Sequence, residues 1–189
     1  MANEKLNILK LLVENQEAQF SIRQISIRRN INYKSAYMAV KELNREGTID
    51  LIRHGNTIIC KFNRRFNGSV FTVEHDRLQD RLKNKNFKVI YNRFSAIKHQ
   101  FILLLFGSQV RKENTKHSDI DLLAITDNAQ EIEREADMIP LKIHLTTINY
   151  GDFITMLKSK EMTVVSEALK KNIILFGIED YYRLIKNAN

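Results

Sequence analysis

Two carboxylates separated by one residue give the chain its clearest potential for chemistry. Asp119 and Asp121 flank Ile120 at the start of an apolar run, and the two-residue repeat of a strand places both side chains on one face. Like charges on one face repel each other unless a cation lies between them, and carboxylate oxygens suit Mg²⁺ or Mn²⁺. We therefore expect a divalent-ion site at this pair.

A small turn precedes the carboxylates by ten residues. Gly107 and Ser108 follow the run Phe101–Phe106, whose length and apolar character are typical of a buried strand. A glycine turn exposes backbone N–H groups that, with a hydroxyl, can hold a phosphate. The basic loop that follows can contact a triphosphate. We expect nucleotide binding by Gly107, Ser108, Arg111 and Lys112.

The order and spacing of these residues resemble the signature of a known protein family. The segment GSQVRKENTKHSDIDLLAIT resembles the signature of minimal nucleotidyltransferases, in which ten residues separate Gly-Ser from Asp-x-Asp. These proteins are small members of the DNA polymerase β-like superfamily, and the resemblance covers residues 85–189. It implies nucleotidyl transfer from a nucleoside triphosphate, with ATP as substrate, phosphates at Gly107 and Ser108, and two metal ions, with Asp119 and Asp121 as metal ligands. Related antitoxins modify a HEPN-type RNase toxin, which makes such a toxin an expected partner.

The third carboxylate that active relatives supply from a later strand is missing. The matching strand is predicted at Leu141–Ile148, and His144 stands where the resemblance implies that acid. An imidazole can ligate a metal or act as a base, which makes His144 a candidate catalytic residue beside Asp119 and Asp121. The alternative is a half-buried strand histidine with a hydrogen-bond partner. In either case we expect ATP binding with slow or absent nucleotidyl transfer.

The N-terminal third has the element order of a winged helix-turn-helix. Helices are predicted over residues 4–15, 22–28 and 33–45, the last two capped by Ser21 and Asn32, followed by strands 48–53 and 57–62. Residues 1–68 hold 12 Lys/Arg against 6 Asp/Glu, whereas the remaining residues hold 18 against 16. This basic charge favours duplex DNA as the partner. The alternative is a plain three-helix interaction domain.

The second helix of a helix-turn-helix enters the major groove with its N-terminal residues leading. The residues expected to contact bases are Asn32, Tyr33, Lys34, Ser35 and Tyr37. Those expected to reach phosphates are Arg28, Arg29, Arg53, His54 and Asn56. A solvated basic face is the alternative interpretation of the whole set.

The predicted fold is α+β, with a winged helix-turn-helix over residues 1–66, a connecting segment over 67–84 and a nucleotidyltransferase-like α/β domain with a mixed sheet over 85–189. This order of modules resembles some archaeal proteins. Further helices are predicted at Val73–Lys83, at Phe87–His99 with Val89 on its apolar face, and at Phe153–Lys158 capped by Asp152. Tyr181 and Tyr182 are predicted core or dimer contacts, and we expect a homodimer.

The composition of the chain bears on where the protein is located. The longest apolar run is far too short to span a bilayer, and Cys60 is the single cysteine, so we expect a cytoplasmic protein that is not membrane-bound. Two functions stay open. One is a DNA-binding nucleotidyltransferase, acting on a protein or small-molecule hydroxyl. The other is a transcriptional regulator whose transferase domain is a nucleotide sensor or dimerisation unit.

Overall fold

The computed structural model describes residues 2–111, 119–159 and 163–188. The chain forms two compact units, Met1–His75 and Asp76–Asn189. The boundary between them lies inside one helix, within the segment that the sequence predicts as the connection. Of the helices in the described ranges, none has the length and apolar character needed to cross a membrane.

The N-terminal unit combines three helices with a small antiparallel sheet. Its elements are α1 (Ala2–Glu14), β1 (Phe20–Ser21), α2 (Ile22–Arg29), α3 (Tyr33–Arg45), β2 (Ile49–His54) and β3 (Thr57–Phe62). Strand β3 lies between β1 and β2. A two-residue turn at Gly55 and Asn56 joins β2 to β3, with His54 paired to Thr57. The three helices and the hairpin follow the order predicted from the sequence, and β1 is an additional strand that the sequence did not predict.

Side-chain caps fix where the second and third helices begin. The Ser21 hydroxyl accepts from the Gln24 N–H, and the Gln24 side chain accepts from the Ser21 N–H, which forms a capping box. The Asn32 side chain accepts from the Lys34 N–H at 2.8 Å. Both predicted caps are confirmed. The helices then bury one stripe each in a shared core that includes Leu12 and Leu43.

The C-terminal unit is built on a four-stranded mixed sheet. Helix α4 (Gly68–Leu82) leads into it along the chain, and the later elements are α5 (Lys85–Phe94), β4 (Ile102–Phe106), α6 (Ser108–Arg111), β5 (Ile120–Ile125), α7 (Ala129–Asp137), β6 (Ile143–Ile148), α8 (Tyr150–Lys158), α9 (Val164–Lys170), β7 (Ile173–Phe176) and α10 (Ile178–Ala188). The strand order is β6-β5-β4-β7. Strands β5 and β6 are parallel, and the other pairs are antiparallel. The predicted mixed sheet and α+β class are confirmed.

Apolar side chains cover one face of this sheet. Leu103, Leu105 and Leu122 pack in a core that includes Phe87, Ile90, Phe94 and Ile132. Because side chains alternate along a strand, Asp121 projects from the opposite face. The Tyr181 and Tyr182 side chains are fully buried, which places them in the core of this unit.

Two predicted helices differ from the structure by five residues at one end. Helix α4 begins at Gly68 rather than Val73, because the Asn67 side chain accepts from the Val70 N–H at 3.0 Å and starts the helix at the predicted turn. Helix α5 ends at Phe94 rather than His99. His99 instead contacts the Glu131 carboxylate at 3.0 Å, in the segment that leads into β4.

Three further local predictions are wrong. Val89 is 47% exposed because it lies two residues, or about 200°, from Phe87 on the buried face of α5. Asn149 rather than Asp152 caps α8, and its side chain accepts from the Asp152 N–H at 2.8 Å. Strand β6 begins at Ile143, two residues later than predicted.

Candidate active site

The turn after β4 makes direct room for a carboxylate. Phe106, the last residue of β4, pairs with Asp121 of β5, and Gly107 follows with φ 70°. A Cβ atom on Gly107 would lie 2.1 Å from Oδ2 of Asp121, far inside van der Waals contact. The missing side chain therefore lets the backbone of the turn approach the Asp121 carboxylate. Both the positive φ and the close approach require glycine at this position.

Asp121 also contacts His144 on the neighbouring strand. The two residues are partners in the parallel register of β5 and β6, and Nδ1 of His144 lies 3.3 Å from Oδ1 of Asp121. The Asp121 side chain is 26% exposed, whereas that of His144 is 71% exposed. The histidine is thus more open than the half-buried alternative from the sequence, and its ring is accessible from solvent.

Asp119 lies one residue before β5 and is exposed. The strand is anchored next to it, since the Ile120 N–H donates to the Lys142 carbonyl oxygen at 2.9 Å. In the described ranges, no three His, Cys, Asp or Glu side chains are gathered closely enough to hold a metal. The structure therefore brings Asp121 and His144 into contact and leaves Asp119 as an adjacent carboxylate.

The remaining predicted nucleotide-binding residues lie along α6 and beyond it. Ser108 opens this single helical turn, which the Val110 N–H closes by donating to the Gly107 carbonyl oxygen at 3.2 Å. Arg111 is the last residue of α6. Lys112 lies outside the described residues, as does most of the predicted basic loop. Gly107 and Ser108 thus share one turn beside the Asp121 carboxylate.

The chemistry of these donors suits a divalent cation, although the three side chains of the described site are not gathered around one point. Mg²⁺ is commonly held by one or two carboxylates, with water and substrate phosphates as its other ligands. Asp121 and Asp119 provide such carboxylates, and glycine at position 107 places no side chain against the Asp121 carboxylate. His144 adds a nitrogen donor, which hard cations prefer less than oxygen. The residues present therefore suit Mg²⁺ or Mn²⁺.

Two acidic residues lie near His144: Asp137, which is an acid close by in sequence, and Glu133, which the sequence did not single out. A cavity of about 450 Å³ is lined by Glu133 and Asp137 of α7 and by His144 of β6. Glu133 also accepts a hydrogen bond from the Thr147 hydroxyl at 2.7 Å. Their separation of four residues on one helix face was the available signal. The cavity therefore lies beside the histidine and is lined by two carboxylates.

The predicted DNA-contacting residues divide by their surroundings. Tyr33 of α3 and Asn56 of the β2–β3 turn line one cavity of about 660 Å³ together with Arg23 of α2. Arg29 forms an ion pair with Glu14 at 3.3 Å, so its positive charge is partly neutralised within the N-terminal unit. The predicted residues on the exposed surface are Arg28, Asn32, Tyr33, Lys34, Arg53, His54 and Asn56, while Ser35 and Tyr37 are partly buried.

Comparison with protein-family models identifies the family of the C-terminal unit. Residues 85–181 match the family model described as polymerase beta, nucleotidyltransferase. This range contains β4, β5 and β6 and every residue of the site described above. A search of curated proteins finds no match.

Proposed function

Because the chain belongs to the polymerase beta nucleotidyltransferase family, we propose that its C-terminal unit binds a nucleoside triphosphate with a divalent cation. We further propose that it transfers the nucleotidyl group to a hydroxyl. The observation that carries this proposal is the approach of the Gly107 turn to the Asp121 carboxylate, which His144 also contacts. ATP is the proposed nucleotide. The proposed acceptor is a hydroxyl of a protein such as a HEPN-type RNase, or of a small molecule.

The reaction requires charge neutralisation and a positioned acceptor. The acceptor oxygen forms a bond to the α-phosphorus, the bond from that phosphorus to the bridging oxygen breaks, and pyrophosphate leaves. A Mg²⁺ ion held by Asp119 and Asp121 would neutralise phosphate charge during this step. His144, open to solvent beside the cavity, accepts the proton of the attacking hydroxyl.

The same residues limit the rate. Two-metal transfer needs enough carboxylate charge for both ions, and a histidine supplies less charge than the third acid that it replaces. We propose that one ion is held well and a second poorly. Binding of ATP with slow transfer follows from this arrangement.

Ligand-induced stabilisation tests the binding part. ATP with Mg²⁺ is expected to raise the Tm of the wild type and not that of Asp119→Asn/Asp121→Asn, because a ligand stabilises only a protein that binds it. Asp127→Asn is the matched control, since Asp127 is exposed and follows the other end of β5. Equal shifts in the wild type and the double variant would remove these carboxylates from the site.

Pyrophosphate release from ATP tests the transfer part, because it reports transfer to any acceptor, including water. We expect slow release by the wild type and faster release by His144→Asp, which restores a carboxylate next to Asp121. Rapid release by the wild type, unchanged in His144→Ala, would show that a different residue completes the site.

A second function is proposed for the N-terminal unit, that of a winged helix-turn-helix that binds duplex DNA. Its support is the order of three helices and a hairpin, with β3 between β1 and β2, in the basic third of the chain. It would place the transferase on DNA or make the chain a transcriptional regulator that uses the nucleotide as a signal. A homodimer would match a two-fold symmetric operator.

Salt dependence of DNA binding tests this second function. Removing one phosphate-binding cation lowers the slope of log affinity against log salt by about 0.9. Lys34→Ala/Arg53→Ala is therefore expected to bind more weakly and with a flatter slope. Unchanged slope and affinity would exclude both residues from the interface, and a wild type without DNA binding would refute the assignment.

A further inference from the structure

The outward face of α3 combines cations with one exposed methionine. The helix buries Ala36, Val40 and Leu43 against the N-terminal unit. The opposite stripe, at helical spacings of four, three and four residues, consists of Lys34, Met38, Lys41 and Arg45. Met38 is 53% exposed, although a methionine at the surface forgoes the burial that favours it in a core. This side chain is thus available to a partner.

One acid, Glu42, lies beside Met38 on this face, and its charge is offset within the unit. Glu42 is the single acid within α3, and Glu46 caps its C-terminus. The Lys5 ammonium of α1 binds both carboxylates, at 2.9 Å to Glu42 and 2.6 Å to Glu46. In the described part of the chain, Lys34 and Arg45 have no acidic partner. Lys41 is partly buried, with its ammonium 5.7 Å from the Tyr37 ring centroid. With Glu42 paired to Lys5, the outward stripe keeps a positive balance from Lys34 and Arg45, which complements a polyanion.

We propose that Met38 contacts thymine methyl groups in the major groove while the surrounding cations hold phosphates. This inference rests on the proposed DNA binding of the N-terminal unit and specifies what that unit reads. Among base edges in the major groove, thymine alone presents a methyl group, and its natural partner is an apolar side chain. A second copy of this face is a poor occupant, since its Lys34, Lys41 and Arg45 would meet like charges.

Replacing thymine by uracil isolates this contact, because it removes only the methyl group. The full chain is titrated by fluorescence anisotropy against an A·T-rich duplex of about 24 base pairs, roughly two helical turns, and against the same duplex with uracil in place of thymine. We expect the thymine duplex to bind more tightly by about fourfold for each methyl contacted, as for burial of one methyl-sized group. In Met38→Gln, which keeps the length of the side chain, the two affinities become equal.

Met138→Gln is the matched control, because Met138 is also exposed, at 58%, but lies in the other unit. It is expected to keep the wild-type preference for thymine. If the wild type binds both duplexes equally, methyl recognition is refuted while DNA binding stands. If Met38→Gln keeps the full preference, Met38 is not the reader. If the wild type binds neither duplex, the proposed DNA function and this inference fail together.

Discussion

Substitution of Gly107 by alanine tests whether the turn after β4 exists to accommodate Asp121. Alanine at φ 70° carries backbone strain of about 1–2 kcal/mol. Its Cβ would also lie 2.1 Å from Oδ2 and 2.9 Å from Cγ of Asp121. The carboxylate must therefore shift, and we expect the shift to break its hydrogen bond with Nδ1 of His144, at a cost of about 1 kcal/mol for a partly exposed bond. The expected total destabilisation is about 2–3 kcal/mol.

Gly55→Ala is a control that has the backbone strain of a positive φ but no collision of its Cβ with another atom. Gly55 has φ 56°, and a Cβ atom there would have no atom within 4 Å, so this variant carries only the backbone cost. The two glycines lie in different units, so the two variants must be compared by a method that measures local stability. Hydrogen exchange measured by mass spectrometry reports the stability of β5 and of the β2–β3 hairpin separately. We expect the destabilisation of β5 in Gly107→Ala to exceed that of the hairpin in Gly55→Ala by about 1 kcal/mol.

A double-mutant cycle tests whether the collision at position 107 involves the Asp121 carboxylate. In Gly107→Ala/Asp121→Ala the carboxylate is absent, so the combined destabilisation should be smaller than the sum of the two single values by about 1 kcal/mol. Gly107→Ala alone should also abolish the Tm shift with ATP and Mg²⁺. Equal destabilisation in Gly107→Ala and Gly55→Ala, additive energies and an intact ligand shift would together refute the role assigned to this glycine.

Three further predictions concern packing and titration. The pKa of Lys5 is raised above its ordinary 10.5, first by its hydrogen bond to Glu46 and then by that to Glu42. The Lys5 ammonium therefore stabilises the folded protein fully at a pH below its pKa in the unfolded chain. This stabilisation is lost as the pH rises through the pKa of Lys5 in the folded protein. The difference in urea unfolding free energy between wild type and Lys5→Met should therefore shrink above about pH 10.5 and stay constant near neutrality. Burial raises the pKa of Cys60 to about 12, so the thiol should resist alkylation near pH 8 until urea unfolds the chain; rapid labelling of the native protein would contradict this. Gly177→Ala should cost about 2–4 kcal/mol, since φ is 75° and a Cβ would lie 2.9 Å from the Phe101 carbonyl oxygen, and a destabilisation no larger than that of Gly55→Ala would be the contrary result.

Local signals predicted much of the fold. The Ser21 and Asn32 caps each depend on residues two or three positions away, which is why sequence alone locates the starts of α2 and α3. Strand β4 was recognisable from its unbroken apolar run. The errors are also local in origin. Asn67 caps α4 at a Gly-Ser segment that also has the composition of a turn, and Asn149 caps α8 three residues before Asp152, which is an equally suitable cap residue by type. Val89 lies in a helix whose buried stripe contains Phe87 and Phe94.

The site could be predicted only in its parts. The spacing of Asp119 and Asp121 is a property of one segment, and the family resemblance supplied the position of His144. The contact between His144 and Asp121 depends on the parallel register of β5 with β6, and the collision at Gly107 depends on the pairing of Phe106 with Asp121. Pairings between distant segments follow from the packing of the whole sheet, so no local pattern reveals them.

The placement of β7 beside β4 has a consequence for the protein during its synthesis. Leu103 pairs with Phe176, so the strand that covers this side of β4 is translated about 70 residues later. At about 5–20 residues per second, a ribosome needs roughly 4–14 seconds to make that stretch. Throughout this interval β4, composed of Ile, Leu and Phe, presents an unpaired backbone edge. We therefore expect the nascent chain to expose this apolar edge for several seconds, and slow codons between β6 and β7 would prolong its exposure to aggregation.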